Sequence, residues 1–403
     1  MFGNKEMKKK YYIDFIYSFL GIAFFNAIIQ IIVNPILEKQ LGANVFGIVL
    51  SIQSLAGLMG ATFGSATNYT RVVAQHENRK FNGDYNHFLF LVALITLPSS
   101  IIYLYYYQQF TVLNLILMIL LLNVTVIRFY ADSEFRLHID YKKFFFFYLA
   151  LGIGYLVGLI LFFLTKQWFV VLVSGEILSL VYVYKKGNIF SSPRWNKSEY
   201  FKNTIRSIFI LSLSYLIASV PVYADRLILQ FFEGGEAVST FYTASLGGKI
   251  VSLASTPLNG VIIGYIAKSR KKINRNFFLK YGIIAILGSI LLAIVCAGFS
   301  MLFVYIFYKE LFVKSIYLFF VLNLGQVLYF VSSTFMVILL RYINEKFQII
   351  INGIYFLVFI LCMGIWIFYG NLILFAWAIV IANFLRLLIA AGFGFCVLYD
   401  NKR

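Results

Sequence analysis

Apolar stretches of roughly twenty residues or more recur along this 403-residue chain between short polar clusters. Each is long enough to cross ~30 Å of hydrocarbon. Twelve are predicted as helices, over 13 to 36, 44 to 67, 86 to 107, 110 to 130, 144 to 165, 167 to 184, 205 to 229, 237 to 266, 278 to 307, 312 to 340, 347 to 369 and 371 to 397. The longest polar connection, Lys185 to Asn203, divides them six and six. That division predicts an all-α membrane protein with an N-terminal lobe over 1 to 190, a cytoplasmic linker over 191 to 204 and a C-terminal lobe over 205 to 403. A shift of 192 residues superposes the first helix pair on the seventh and eighth, placing Gly42, Phe46 and Gly47 on Gly234, Val238 and Ser239. Six helices per half make both halves enter from one face, and such parallel repeats bind substrate between them near the midplane.

Composition removes the soluble alternatives. With 61% hydrophobic residues, 12% charged and a mean hydropathy of +0.86, the chain lies outside globular ranges. The net charge of +18 raises a nucleic-acid reading, which the placement of the charges answers. With both termini inside, 27 of the 34 Lys and Arg fall in inner segments and only Lys39, Lys166, Lys309 and Lys314 in outer loops. This is the positive-inside pattern, so the excess encodes orientation and contact with membrane lipids, and no nucleic acid is predicted as a partner. The first ten residues resemble a signal peptide, but the apolar run that follows exceeds twenty residues without a small-x-small cleavage site, so it reads as a retained helix. Cys296, Cys362 and Cys396 lie in apolar segments as small hydrophobes, and neither a disulfide nor a metal site is predicted.

Outer loops of roughly two to seven residues leave no surface domain to present an acid, base or nucleophile. His76, His87 and His138 fall in or beside inner loops, where a solvated or headgroup-contacting role is the plainer reading. No HExxH, paired carboxylate or phosphate loop is present, so the chain is not read as an enzyme and no cofactor is expected.

Ionisable groups inside hydrocarbon cost roughly 2.5 to 3.5 kcal/mol on insertion scales and usually face a cavity. Five stand there: Lys249 near the middle of the eighth helix, Asp225 and Arg226 toward the outer end of the seventh, Glu176 in the sixth and Arg386 in the twelfth. Lys249 belongs to a stripe of Tyr242, Ser245, Lys249, Ser252, Thr256 and Asn259, whose 3-4-3-4-3 spacing predicts one polar face. Backbone or interhelical bonding accounts for each hydroxyl singly, but poorly for a lysine at mid-depth. Asn26, Gln30 and Asn34 repeat at i, i+4 and i+8 on the first helix, with Gln53 on the second and Asn323 and Gln326 on the tenth. These amides suit sugar hydroxyls or interhelical bonds about equally. Asp225 and Arg226 point ~100° apart and do not simply pair. Glu176 reads as a cation's partner ahead of a proton carrier, and Arg386 pairs with it or with helix-end carbonyls, or faces the cavity. Pro221 and Pro257 interrupt two helices, and Gly57, Gly60 and Gly64 lighten the second.

LGANVFGIV after the first helix, RFYADSEFRLHIDYKK after the fourth, and YADRLIL followed by GGEAVSTFYTAS resemble the polysaccharide-transport branch of the multidrug/oligosaccharidyl-lipid/polysaccharide (MOP) exporter superfamily. With the six-plus-six layout, the resemblance covers nearly the whole chain. It implies a MATE/MOP-like fold and a flippase of the bacterial cytoplasmic membrane, exporting an undecaprenyl-pyrophosphate-linked oligosaccharide by alternating access. Its implied partners are that substrate and polysaccharide polymerase and assembly proteins, with coupling to H+, Na+ or the membrane potential. Asp225, Arg226 and Lys249 match the family's acid-base pair and basic position, so Lys249, Arg226 and Arg386 are expected to meet pyrophosphate, while Asp225 and Glu176 serve coupling or charge pairing. The chain departs from the family in lacking a basic residue in its first helix or in the core of its second. It also has no helix beyond the twelfth, unlike fourteen-helix peptidoglycan-precursor flippases. A cation-coupled multidrug exporter of the same fold and a membrane glycosyl-polymerase or acyltransferase are the competing readings.

Overall fold

The computed structural model describes residues 5–75, 82–190, 195–253, 259, 275–339 and 345–400. Every regular element among them is helical. The first half runs α1 (Lys5–Ala27), a π turn (Ile28–Val33), α2 (Asn34–Met59), a second π turn (Gly60–Gly64), α3 (Ser65–Gln75), α4 (Asn82–Tyr106), α5 (Val112–Ala131), α6 (Ser133–Leu137), α7 (Tyr141–Thr165) and α8 (Phe169–Lys186). The second half runs α9 (Phe201–Phe232), α10 (Gly235–Ala244), α11 (Leu246–Leu253), α12 (Arg275–Phe307), α13 (Lys309–Ser315), α14 (Phe319–Leu339), α15 (Glu345–Ile367) and α16 (Leu372–Asp400). Nine stretches among the described residues are long and apolar enough to cross a membrane. One of these, Ile13 to Val73, takes in the first two predicted helices, which meet at a non-helical residue. The break falls inside α2 at Gly42, whose φ of 75° and ψ of 162° are open to glycine and strained for other residues.

The chain divides into two compact units, Met1–Leu37 with Ile52–Ala224 and Glu38–Ser51 with Asp225–Arg403. In the first, α7 packs on α8 and α1, and α5 on α8, α4 and the second π turn. Segment 195–200 is tied to the start of α4, where Asp84 accepts the Ser198 N–H at 2.9 Å and the Ser198 hydroxyl. His87 packs its ring between Trp195 and Phe201 at 5.4 and 5.5 Å. It is therefore an aromatic packing residue rather than a solvated one. His138 sits 3.6 Å from Glu134, and His76 lies outside the described residues.

In the second unit, segment 38–51 meets α10. The Ser239 hydroxyl donates to the Ala43 carbonyl at 2.6 Å, and a Cβ on Gly47 would stand 1.9 Å from the Gly235 carbonyl oxygen. Under the 192-residue shift Ala43 falls on Gly235 and Gly47 on Ser239, so each contact is the image of the other, as across a two-fold axis. Gly234, the counterpart of Gly42, carries the same left-handed φ, 84°. The superposed glycines thus share one conformation.

The eighth predicted helix is broken. Ser245 leaves helical geometry between α10 and α11, with φ −91° and ψ 1°, about 15 Å along from Gly235. A regular helix would bond the Gly248 N–H to the Ala244 carbonyl. Here the Asn323 amide of α14 is inserted instead: its Oδ1 accepts from Gly248 N at 2.5 Å and its Nδ2 donates to Ala244 O at 2.8 Å. The Ser300 hydroxyl accepts the Gly247 N–H at 2.8 Å and donates to Asn323 Oδ1 at 3.2 Å. An inserted side chain is an established cause of a helix kink. Gly247 and Gly248 make the approach feasible, since a Cβ at either would lie 2.3 Å from the Cys296 carbonyl oxygen or 2.6 Å from Gln326 Cβ.

Asn323→Ala leaves the buried Ala244 carbonyl and Gly248 N–H without partners, at ~1–3 kcal/mol each. The expected outcome is a markedly smaller fraction surviving as a single size-exclusion peak after heating in detergent, with Asn323→Asp intermediate because it restores only the acceptor.

Candidate functional site

α9 and the broken helix bring the second unit's charges together. The Asp225 carboxylate is buried and accepts the N–H of Arg226 at 2.7 Å, so the neighbours interact through the backbone although their side chains diverge. Arg226 extends over the ring of Tyr242, guanidinium carbon 5.4 Å from its centroid. Lys249 reaches the same ring from beyond the kink, Nζ 4.8 Å from the centroid of Tyr242 and 5.6 Å from that of Phe241. Its Nζ is enclosed and makes no hydrogen bond, and neither does Arg226 Nε. Sharing one ring, the two cations are no more than about 10 Å apart. At an effective dielectric near 20 this separation costs ~1.7 kcal/mol or more. Asp225 also lies within electrostatic range of Lys249. The arrangement is an acid beside two cations with unused donors, which is competent to take an anion.

The rest of the predicted stripe behaves differently. The Ser245 hydroxyl donates to the Tyr242 carbonyl at 2.9 Å and that of Ser252 to the Lys249 carbonyl at 2.8 Å. These hydroxyls are occupied by their own helix, and the kink at Ser245 divides the face that a straight helix would present. Asn259 keeps a buried Oδ1 without a partner, while Thr256 and Pro257 lie outside the described residues. Asn323, expected as a sugar-binding amide, is consumed by the clamp, and Gln326 packs its Cβ against Gly248.

Arg386, 8% exposed, has surroundings of its own in the second unit. Its guanidinium lies 4.9 and 4.8 Å from the rings of Tyr329 and Tyr355, its Nη1 donates to Ser333 Oγ at 3.3 Å, and its Nε makes no hydrogen bond. Tyr355 is fixed by donating to Asn383 Oδ1 at 2.9 Å, and Asn383 in turn donates to the Gly325 carbonyl at 3.1 Å.

The first unit holds the remaining residues. Glu176 accepts a hydrogen bond from Arg128 Nε, and both are buried. Arg128, which from sequence counts among the inner-segment cations, is buried at the end of α5, its guanidinium 4.5 Å from the Phe129 ring. Asn26 donates to its own helix at the Ile22 carbonyl, 2.8 Å away. Gln30 falls in the first π turn, where Asn34 N–H bonds Ile29 O, five residues back, so Asn26, Gln30 and Asn34 do not form a regular α-helical stripe. Gln53 has a buried Nε2 without a partner.

No protein-family model matches the chain, and no curated protein matches it. Solved structures do. The lipid II flippase MurJ in an inward closed conformation superposes with a TM-score of 0.65 at 15% identity, over 97% of this chain and 87% of its own. An inward-facing multidrug resistance MATE transporter of the MOP superfamily gives 0.62 at 16%, over 96% and 95%. A MOP superfamily transporter from Pyrococcus furiosus, described as having a binding pocket of reverse polarity, gives 0.57 at 16%, over 97% and 96%. The fold is therefore all-α and of the MATE/MOP type, and the chain is a multi-pass membrane protein.

The buried ion pair yields a double-mutant test. Arg128→Met leaves the Glu176 carboxylate uncompensated, and breaking such pairs costs ~3–5 kcal/mol. Heat-survival measurements in detergent are expected to show a large loss for Arg128→Met and a partial recovery in the double variant with Glu176→Gln. Equal losses in the single and double variants would mean that the pair is not the source of the effect.

Proposed function

We propose that the protein is a flippase that moves an undecaprenyl-pyrophosphate-linked oligosaccharide repeat unit across the bacterial cytoplasmic membrane, both termini inside, by alternating access. The product feeds capsule, exopolysaccharide or O-antigen assembly. The supporting observation is the pair of cations on Tyr242, with Lys249 Nζ and Arg226 Nε buried and unbonded. A pyrophosphate supplies the acceptors these groups lack and relieves their mutual repulsion, since charge-assisted bonds to phosphate are among the strongest in proteins. Arg386, packed between two tyrosines with a free Nε, offers a further anion contact. Among the fold neighbours are a lipid II flippase and a transporter described with a binding pocket of reverse polarity.

The same fold carries a second reading, a cation-coupled multidrug exporter, supported by the MATE neighbours. A cationic drug seeks net negative charge, whereas Asp225 here stands against Lys249 and Arg226.

The two readings separate in a strain lacking the gene. Wild-type protein is expected to restore surface polysaccharide, Lys249→Ala and Arg226→Ala to lose at least tenfold at equal membrane abundance, and Ser252→Ala to retain function because its hydroxyl donates to the Lys249 carbonyl of its own helix. Restoration of drug tolerance by a protein with no effect on surface polysaccharide would support the exporter.

A further inference from the structure

The second unit contains a buried acid that none of the sites above uses. Glu38, on α2 four residues before the break at Gly42, is 4% exposed and its Oε1 makes no hydrogen bond. Tyr308, in the turn between α12 and α13, is fully buried, and its hydroxyl also has no partner. The two lie within electrostatic range of each other, and Glu38 also senses Glu310. Phe46 joins them to the cation site, its ring 6.2 Å from that of Tyr308 and 6.1 Å from that of Tyr242.

A buried carboxylate with an idle oxygen is costly unless a counter-charge or a proton neutralises it. Among the described residues Glu38 makes no ion pair, and Lys309, the first residue of α13, is exposed. From α10 come Tyr242 and Glu236, and Glu236 is already paired with Lys314 of α13. The α12 to α13 turn gives neutral Tyr308 and then Glu310, an exposed acid, while Lys39 on α2 itself points outward. Burial disfavours a charge on Glu38, and a second carboxylate in range adds to that cost.

We infer that Glu38 is a proton-binding site, distinct from Asp225 and Glu176, with the buried Tyr308 phenol in its surroundings. A proton on Glu38 neutralises the carboxylate and removes the cost of burying its charge. Releasing that proton leaves a buried carboxylate within range of Glu310, which gives proton exchange at Glu38 leverage over segment 38–51 and its contact with α10.

Infrared difference spectra of the full-length protein in detergent, stepped from acid to alkaline pH, read protonated carboxyl groups directly. Wild type is expected to show a protonated-carboxyl band at neutral pH that is lost in Glu38→Gln, retained in Glu176→Gln and shifted in Tyr308→Phe. An unchanged band in Glu38→Gln overturns the proposal, as does a neutral-pH spectrum without the band whose carboxylate signal changes with sodium. If Glu38→Gln does not elute as a single peak, Tyr308→Phe carries the test, and an unshifted band refutes it. The spectrum is independent of the transported species, so it can fail while the flippase reading stands, and the reverse.

Discussion

The insertion of Asn323 into the backbone ladder of a membrane helix is the interaction from which the site follows. In hydrocarbon a helix cannot drop a backbone bond for solvent to repair, so a bend near mid-depth needs a resident donor and acceptor at one point. A carboxamide carries its donor and its acceptor on separate atoms, spaced to bridge an opened backbone bond. Asn323 bridges Ala244 O and Gly248 N, and Ser300 takes the next N–H. Glycines at 247 and 248 allow the neighbouring helices to come that near.

The bend then determines the electrostatics. Lys249 follows the clamped residues immediately, while Tyr242 stands three residues before the break at Ser245. The ammonium nevertheless reaches that ring at 4.8 Å, and Arg226 arrives there from α9. Two cations over one aromatic ring with unspent donors outnumber the single carboxylate of Asp225 beside them. The contrasting pattern is Glu176, whose charge is met by Arg128 inside its own unit and is thereby taken out of ligand chemistry.

Much of this was legible in the sequence. The apolar runs gave the helices, because hydrocarbon thickness fixes their length, and the 192-residue shift aligned Gly42 with Gly234, which share a left-handed backbone. The ionisable residues of the second half were found because charge in an apolar run is conspicuous. What was not legible depended on rotation and partner choice. The two π turns and the kink at Ser245 break the 3.6-residue period on which the polar stripes were counted, and the consecutive glycines at 247 and 248 were the available signal for a break. Arg128 looked like a loop residue because it ends an apolar run, and only packing shows it turned inward to Glu176. Glu38 and Tyr308 are unremarkable at a loop in sequence, and their burial comes from segment 38–51 folding into the second unit.

The central claim is that Lys249 and Arg226 form an anion site for pyrophosphate. It is tested most directly by titrating purified protein in lipid nanodiscs with an undecaprenyl-pyrophosphate oligosaccharide, alongside the monophosphate and a neutral analogue. The account predicts saturable binding that weakens stepwise as phosphate charge is removed and falls at least tenfold in the Lys249→Ala, Arg226→Ala double variant. Equal affinity for the charged and neutral ligands, or an unaltered double variant, would contradict it.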